Sequence, residues 1–388
     1  MSADRTSDAA VPDFAVPDGA SSAGLTYAAA GVDTAAGDRA VELMKAAVAR
    51  THGPQVLGGA GGFAGLFDAS ALKAYDRPLL ASSTDGVGTK VAIAQALDIH
   101  DTIGFDLVGM VVDDVVVCGA TPLVMTDYIA CGRVVPERIA DIVRGIAAAC
   151  EVAGVALVGG ETAEHPGLLG PDEYDVAGAA VGVVEAADLL GPAKVHDGDV
   201  VVAIASSGLH SNGFSLVRKV IEVAGWKLDR DVPEFGRTLG EELLVPTRVY
   251  SADLLGLAQD ATAQVHAYSH ITGGGLAANL ARVLPVGLTA TVDRSTWTVP
   301  AVFDVVRGLG GVPWSDLEAT LNLGVGMVAV VGADGVDAAL RHLAACGLPA
   351  WVLGTIGVDD GGVGAHIVRG TKGVHGGAVH MTGSYRTT

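Results

Sequence analysis

The chain contains few aromatic and few basic residues. Aromatic side chains make up 5% of its 388 residues, and 24 lysines and arginines stand against 44 aspartates and glutamates, which gives a formal net charge of −20. Because an acidic surface repels nucleic acids and anionic membranes, we expect neither of them as a partner. Small phosphate ligands are not excluded, since backbone N–H groups and metal ions bind them locally.

Cysteine and the common nucleotide and zinc motifs are also scarce or missing. The four cysteines form no C-x-x-C pair, and scattered cysteines of this kind predict reduced thiols in a cytoplasmic protein. The sequence contains no G-x-x-x-x-G-K-[ST] phosphate loop, no H-E-x-x-H and no paired zinc spacing. It begins with no signal-peptide pattern and its apolar runs are short, so we expect no membrane association.

Glycine and hydrophobic residues are abundant, at 54 residues and 50% of the chain respectively. The length predicts two domains, and the turn-rich "GPAKVHDGD" marks the boundary between them. Alternating strand and helix patterns predict an α+β protein made of two mixed α/β domains. In the first domain they predict helices at about 34–50 and 136–153, a helix that starts near 101 and ends at Gly119, and strands at 78–83 and 155–160, each followed by a glycine-rich loop that carries acids. We expect a disordered tail at 1–24, domains at 25–190 and 195–360, and a flexible glycine-rich tail at 370–388.

In the first domain, carboxylates stand at the ends of apolar segments. Each alone has an ordinary explanation, as a turn former, a solvated helix residue or a core acid paired with a lysine or arginine. Together they would raise each other's pKa values, and a hard cation such as Mg²⁺ removes that conflict. We therefore predict that Mg²⁺, in contact with a nucleotide polyphosphate, is held by Asp85, Asp114 and Glu161.

The segment "TDGVGTK" complements these acids. Its glycines allow close approach of the backbone to a phosphate, and its threonine and lysine add a hydroxyl and a positive charge. A hairpin turn with an exposed lysine is the open alternative. The glycine-rich loop at 57–65 is suited to closing over such a site. The predicted ATP and phosphate contacts are Asp85, Gly86, Gly88, Thr89, Lys90, Asp127, Gly61 and Gly62.

In the second domain, "SSGLHSNG" (206–213) and "HITGGG" (270–275) each lie between a strand and a helix. Helix N-termini bind anions through free N–H groups. His210 and His270 lie in these matching loops and are the candidate catalytic residues, with a purely structural role as the alternative. The predicted contacts to a substrate phosphate are Ser207, Ser211, Asn212, Thr272, Gly273 and Gly274.

Taken together, these segments resemble the phosphoribosylformylglycinamidine cyclo-ligase family, the aminoimidazole ribonucleotide synthetases. The matching stretches include "LGGAGGFAGLF", "TDGVGTKV", "LVGGETAEHPG", "SSGLHSNGFSLVRK" and "HITGGGLAANLARVLP", in family order. The resemblance implies ATP-dependent cyclisation of formylglycinamidine ribonucleotide, a step of purine biosynthesis that releases ADP and phosphate. It also implies a homodimer whose N-terminal-domain sheets pair into a barrel, with ATP between the domains. Asp113 departs from the family, because many members have asparagine there.

Two other functions remain open from the sequence. The first is another ATP-dependent enzyme of the wider superfamily, which contains formylglycinamidine synthetase, selenophosphate synthetase, thiamine-phosphate kinase and a hydrogenase maturation factor. Formylglycinamidine synthetase is the foremost of these rivals. The "SSGLHSNGFSL" and "HITGGG" segments favour the cyclo-ligase over these relatives. A nucleotide-binding regulatory protein without turnover is the alternative from another class, and the intact set of carboxylates argues against it.

Overall fold

The computed structural model describes residues 31–58, 62–371 and 375–387. Residues 1–24, predicted as a tail, and Gly61 of the glycine loop lie outside the described residues. The first domain contains α1 (Thr34–Arg50), β1 (Val56–Leu57), β2 (Leu66–Phe67), β3 (Pro78–Gly86), α2 (Val91–Leu97), α3 (Ile103–Val116), β4 (Thr121–Cys131), α4 (Pro136–Ala153), β5 (Ala156–Glu164) and β6 (Tyr174–Glu185).

A four-stranded sheet in the order β3-β6-β4-β5 organises this domain. The β4–β5 pair is parallel, and the β3–β6 and β4–β6 pairs are antiparallel. Helix α3 packs on one face of the sheet and is buried along almost its whole length. Valine has low helix propensity, so this burial stabilises α3. The opposite face leaves Leu80 67% exposed and Tyr128 41% exposed.

Several element ends differ from the sequence prediction. Strand β3 continues through Asp85 to Gly86, and β5 continues through Glu161 to Glu164, so these acids lie in strands rather than in glycine loops. The helix that the sequence predicts to end at Gly119 stops at Val116, and Pro122, expected beyond the helix, already belongs to β4. Both strands are extended by ladder pairing with neighbouring strands, which overrides the local glycine signal.

The second domain is also a mixed α/β unit, which confirms the expected fold class at that level. Its elements are β7 (Val200–Ala205), α5 (Phe214–Ala224), β8 (Asp231–Val232), β9 (Arg237–Thr238), α6 (Leu239–Leu243), α7 (Ser251–Gln259), β10 (Val265–His270), α8 (Gly275–Arg282), β11 (Leu288–Asp293), α9 (Ala301–Gly310), α10 (Trp314–Glu318), β12 (Val325–Val331), α11 (Val336–Ala345), β13 (Ala350–Val358), β14 (Ile367–Arg369) and β15 (Ala378–Thr382).

A seven-stranded sheet in the order β10-β12-β7-β13-β11-β15-β14 forms the centre of this domain. The expectation of a flexible tail at 370–388 is wrong for its described part. Strand β15 pairs in parallel with β11, and Tyr385 packs its ring against Trp297 and Trp314. Within the described parts of the chain, no helix is both long and apolar enough to cross a membrane.

Candidate active site between the domains

Helix α3 anchors the second domain through a buried carboxylate, Asp106. Its Oδ1 atom accepts hydrogen bonds from Lys90 Nζ at 2.7 Å and from the Thr247 backbone N–H at 3.0 Å. Lys90 also donates to the carbonyl oxygens of His210 and Val245. Burial lowers the pKa of Lys90 and raises that of Asp106, while their pairing opposes both shifts. Because Lys90 is fully enclosed, the predicted phosphate contact by this lysine is wrong, and so is the exposed hairpin lysine.

Asp113, seven residues along the same helix, makes a second anchor. Its Oδ1 accepts from the backbone N–H of Tyr250 at 3.1 Å and from the Ser251 hydroxyl at 2.5 Å, at the start of α7. Burial raises the pKa of Asp113 to about 6. Residues seven apart lie on one face of a helix, so Asp106 and Asp113 together bind the segment 247–251. Asp113 therefore has a structural contact that accounts for it without a metal.

Asp114 lies at the boundary between the domains and contacts His270. In the sequence, Asp114 falls on an otherwise apolar helix face together with Leu107, Val111 and Cys118. In the structure its side chain is 42% exposed. Its Oδ1 is 2.8 Å from His270 Nδ1, and His270 Nε2 is buried without a hydrogen-bond partner. Burial alone would lower the pKa of His270, but the hydrogen bond with Asp114 and the nearby charges of Asp113 and Asp85 raise it. An imidazole oriented by a carboxylate, with its other nitrogen unpaired, has the geometry of a general acid or base.

His210 lies near this pair, but its pKa is shifted in the opposite direction to that of His270. It adopts a positive φ of 59°, and its Nε2 accepts the Ser207 backbone N–H at 3.1 Å while its buried Nδ1 has no partner. Burial and the nearby positive charges lower its pKa well below the ordinary histidine value, so the ring is neutral. Gly326 makes room for it, because a Cβ there would lie 2.6 Å from His210 Cε1.

Two further acids share a face of the first-domain sheet. Gly178 on β6 is paired with Asp85 on one side and with Asp127 on the other, so both carboxylates project from the same face. Gly160 is the next residue in this row, and its missing side chain leaves space that the Asp127 carboxylate occupies. Desolvation raises the pKa of Asp127 to about 7.

The register separates Glu161 from that row. Glu161 pairs with Tyr128, and side chains alternate between faces, so Glu161 belongs to the face opposite Asp85. Among the described residues, Asp85, Asp114 and Glu161 do not form a group whose ligand atoms lie within 4.8 Å of one another. Within one chain, therefore, the predicted trio is not brought together, although Asp85 and Asp114 both act on His270.

The remaining "TDGVGTK" residues follow Asp85 along the chain and reach the second domain at Thr89. Gly86 donates its N–H to Asp85 Oδ1 at 2.7 Å, and Gly88 has a positive φ of 72°. Thr89 Oγ1 lies 3.2 Å from the hydroxyl of Ser215, at the start of α5 in the other domain. Gly62, the described member of the predicted glycine-loop contacts, is exposed.

The two second-domain loops meet at this boundary. Helices α5 and α8 begin after Gly213 and Gly274, and neither N-terminus receives a side-chain capping hydrogen bond. Asn212 Oδ1 accepts the Gly273 N–H at 3.0 Å, which joins the loops, and Thr272 lies beside Gly273. Uncapped N-termini leave helix N–H groups available to an anion.

The two serine hydroxyls of the first loop have protein partners. Ser207 Oγ donates to the Pro246 carbonyl, and Ser211 Oγ donates to the Val87 carbonyl. The expectation that both donate to a substrate phosphate is therefore wrong for this arrangement, in which they fix the loop instead. Sequence reasoning also missed the anchoring role of Asp106 and Asp113. Their seven-residue spacing on a valine-rich helix was the available signal.

Comparison with known proteins places this architecture in a class. Residues 67–184 match the family described as "AIR synthase related protein, N-terminal domain", and residues 196–367 match its C-terminal domain. A crystal structure of thiamine-monophosphate kinase from Stenotrophomonas maltophilia has the same fold, with a TM-score of 0.61 at 19% identity over 88% of this chain and 95% of that one. Hydrogenase maturation protein HypE in complex with ATP has a TM-score of 0.57 at 16% identity, over 84% and 87%. The chain is thus a two-domain AIR synthase-related protein.

A curated relative narrows the assignment. The phosphoribosylformylglycinamidine cyclo-ligase of Desulfitobacterium hafniense is 49% identical over 340 residues, which cover 88% of this chain and 99% of the relative. The chain belongs to the phosphoribosylformylglycinamidine cyclo-ligase family of enzymes.

Proposed function

We propose that the protein catalyses the ATP-dependent cyclisation of formylglycinamidine ribonucleotide to aminoimidazole ribonucleotide, with release of ADP and phosphate, in purine biosynthesis. The formyl oxygen attacks the γ-phosphorus of ATP, and the bond from that phosphorus to the β-phosphate oxygen breaks. The amidine nitrogen then attacks the activated carbon and loses a proton as phosphate leaves. Membership of the family supports this reaction, and the single structural observation that carries it is the Asp114–His270 pair between the domains.

His270 is the residue we assign to the proton. Its unpaired Nε2 is buried at the domain boundary, where it would face a bound substrate rather than water. The Asp114 carboxylate fixes the ring orientation and stabilises its charged form. His210, neutral and fixed by Ser207, is the second candidate. It suits a hydrogen bond to substrate better than proton transfer, because burial disfavours its charged form.

ATP and Mg²⁺ are assigned to the first-domain side of the boundary. Asp85 and Asp114 fit Mg²⁺ by donor chemistry, because the ion needs only one or two carboxylates when it also contacts phosphates and water. Asp127 lies on the same sheet face as Asp85 and is a further contact. The ion would neutralise phosphate charge, and the protein would position the reactants and exclude water. Gly86, Gly88 and Thr89 are proposed to line the polyphosphate.

The substrate phosphate is assigned to the second domain. The uncapped starts of α5 and α8 supply backbone N–H groups, and Asn212 holds the two loops together through Gly273. In a chain with a net charge of −20, neutral backbone donors bind an anion without requiring long-range attraction. Thr272 and Gly274 are therefore the proposed contacts, while Gly273, whose N–H is donated to Asn212, keeps the two loops together.

We also propose a homodimer formed through the first-domain sheet. Its outward face carries the exposed apolar side chains Leu80 and Tyr128, and in the described part of the chain its outer strands β3 and β5 each pair with a strand on one side only. Pairing with a second copy would cover both features and close a barrel, as open edges otherwise invite aggregation.

Product analysis tests the proposed reaction. The purified chain, given ATP, Mg²⁺ and formylglycinamidine ribonucleotide, should form ADP and aminoimidazole ribonucleotide in equal amounts. The related synthetase reaction is tested in parallel with formylglycinamide ribonucleotide and glutamine. Turnover of that pair alone would contradict the cyclo-ligase assignment, and ATP binding without any turnover would support a regulatory protein instead.

A further inference from the structure

A second cluster of ionisable side chains lies away from the candidate active site, where the linker between the domains meets the outer strand of the second-domain sheet. His196, Asp199 and His266 each place one ligand atom within 4.8 Å of the other two. His266 Nδ1 is 2.8 Å from Asp199 Oδ2, and the same oxygen accepts the His196 backbone N–H at 2.8 Å. The two imidazole rings stand edge to face with centroids 5.4 Å apart.

The backbone around this cluster directs the side chains toward each other. His266 is the extra residue at an irregularity in the β10–β12 pairing, between Val265 and Ala267. Such bulges re-aim a side chain relative to its strand. The His266 carbonyl also accepts the Gly191 N–H at 3.0 Å, which brings the start of the linker against the same strand.

The cluster has the side chains of a metal-ligand set, one buried carboxylate and two imidazoles. Asp199 is 4% exposed, and among the described residues its carboxylate is within hydrogen-bond distance of His266 but lies in no ion pair with a lysine or arginine. Buried carboxylates are normally paired or bound to a metal. Two imidazoles and one carboxylate suit Zn²⁺ and similar transition metals, whereas Mg²⁺ prefers oxygen ligands alone.

We propose that His196, Asp199 and His266 bind a divalent transition metal of the Zn²⁺ type, which ties the interdomain linker to β10. The ion would replace the hydrogen bond between His266 and Asp199, and water would complete its coordination. His196 is exposed, so the site is open to ions from solvent. Strand β10 ends at His270, so the metal would hold the strand that carries the proposed catalytic histidine.

Zinc binding by the full chain, free of any affinity tag and stripped with a chelator, tests the site. Competition with a chromophoric zinc chelator should give one tight equivalent per chain that excess Mg²⁺ does not displace. His196→Asn removes an exposed ligand without disturbing the core, and it should weaken this equivalent by at least about tenfold. His375→Asn, at another exposed histidine, is the matched control and should bind as the unaltered chain does.

A second readout does not depend on counting ions. Zn²⁺ should raise the melting temperature of the unaltered chain and of His375→Asn, because it binds the folded state alone. The increase should be lost in His196→Asn. Equal zinc affinity in His196→Asn and the unaltered chain would overturn the proposal, because the ion would then be held elsewhere, and so would displacement of Zn²⁺ by Mg²⁺.

Discussion

His270 Nδ1 of the second domain lies 2.8 Å from Asp114 Oδ1 of the first, so a hydrogen bond between an imidazole and a carboxylate crosses the domain boundary at the candidate active site. The strand β10 and the helix α3 that carry these residues belong to different domains. A change in the angle between the domains would therefore separate the carboxylate from the imidazole. Proton transfer by His270 is therefore expected to require the packing of the two domains that keeps Asp114 beside it.

Asp114→Asn tests the role of this pair. The asparagine cannot stabilise the charged imidazole, so the pKa of His270 should fall and the corresponding limb of the kcat/KM profile should move to lower pH. We expect kcat to decrease by at least about tenfold, with His270→Ala losing about 10²–10⁴-fold. Asp188→Asn, an exposed acid in a turn, is the control. An unchanged pH profile in Asp114→Asn would contradict the assigned role.

Lys90→Met separates anchoring from phosphate binding. The substitution leaves the fully buried Asp106 without its charged partner, so the free energy of unfolding should fall by about 3–5 kcal/mol. Urea denaturation measures this loss, and the affinity for ATP of the protein that remains folded should change little. A variant of normal stability that no longer bound ATP would restore Lys90 as a phosphate contact.

Asp113→Asn should change how stability depends on pH. The pKa of Asp113 is raised by burial from 3.8 to about 6, so between these values the folded chain binds more protons than the unfolded chain. The contribution of Asp113 to stability is therefore greatest at low pH and falls by about 2–3 kcal/mol as pH rises through 6. Asparagine does not titrate, so the variant should gain relative stability over this range in urea denaturation. A difference that stays constant from pH 4.5 to pH 7.5 would refute the effect.

Leu80→Arg tests the proposed dimer. Leu80 is 67% exposed on the open sheet face, and a charge there would be costly to bury against a second copy. Sedimentation at micromolar concentration should show a dimer for the unaltered chain and a monomer for Leu80→Arg. Val286→Arg, at a 71% exposed position of the second domain, should remain dimeric. A fully active monomer of the unaltered chain would rule the dimer out.

Short-range sequence patterns predict the ends of some elements, whereas other features depend on contacts between residues far apart in the chain. Helices α1 and α4 were predicted with the ends they have, because Asp33 caps α1 and Gly154 ends α4 through short-range contacts. The burial of Lys90 depends on carbonyl groups more than 100 residues away, and no local pattern carries that information. Strand β15 likewise exists because β11 offers an edge for pairing.

In the candidate site, too, short-range patterns predict some residues, whereas the positions of others depend on contacts far along the chain. His210, His270 and the uncapped helix starts were predicted because a glycine-rich segment between a strand and a helix has one common geometry. Glu161 was predicted to lie with Asp85 and Asp114, but it belongs to the sheet face opposite Asp85. Strand register decides which face a residue occupies, and a change of one residue reverses the face. The exposed position of Asp114 follows from the orientation of α3 against the second domain, which the apolar pattern of the helix did not define.

If the first domain binds ATP and the second binds the ribonucleotide phosphate, a variant on each side should weaken one ligand and spare the other, and titration of both ligands against both variants measures this. Asp85→Asn should weaken Mg²⁺-dependent ATP binding and leave formylglycinamidine ribonucleotide binding nearly unchanged. Thr272→Ala should weaken the ribonucleotide by roughly ten- to a hundred-fold, the loss of one hydrogen bond to a charged group, and spare ATP. The reverse pattern, with ATP lost in Thr272→Ala and the ribonucleotide lost in Asp85→Asn, would contradict the account.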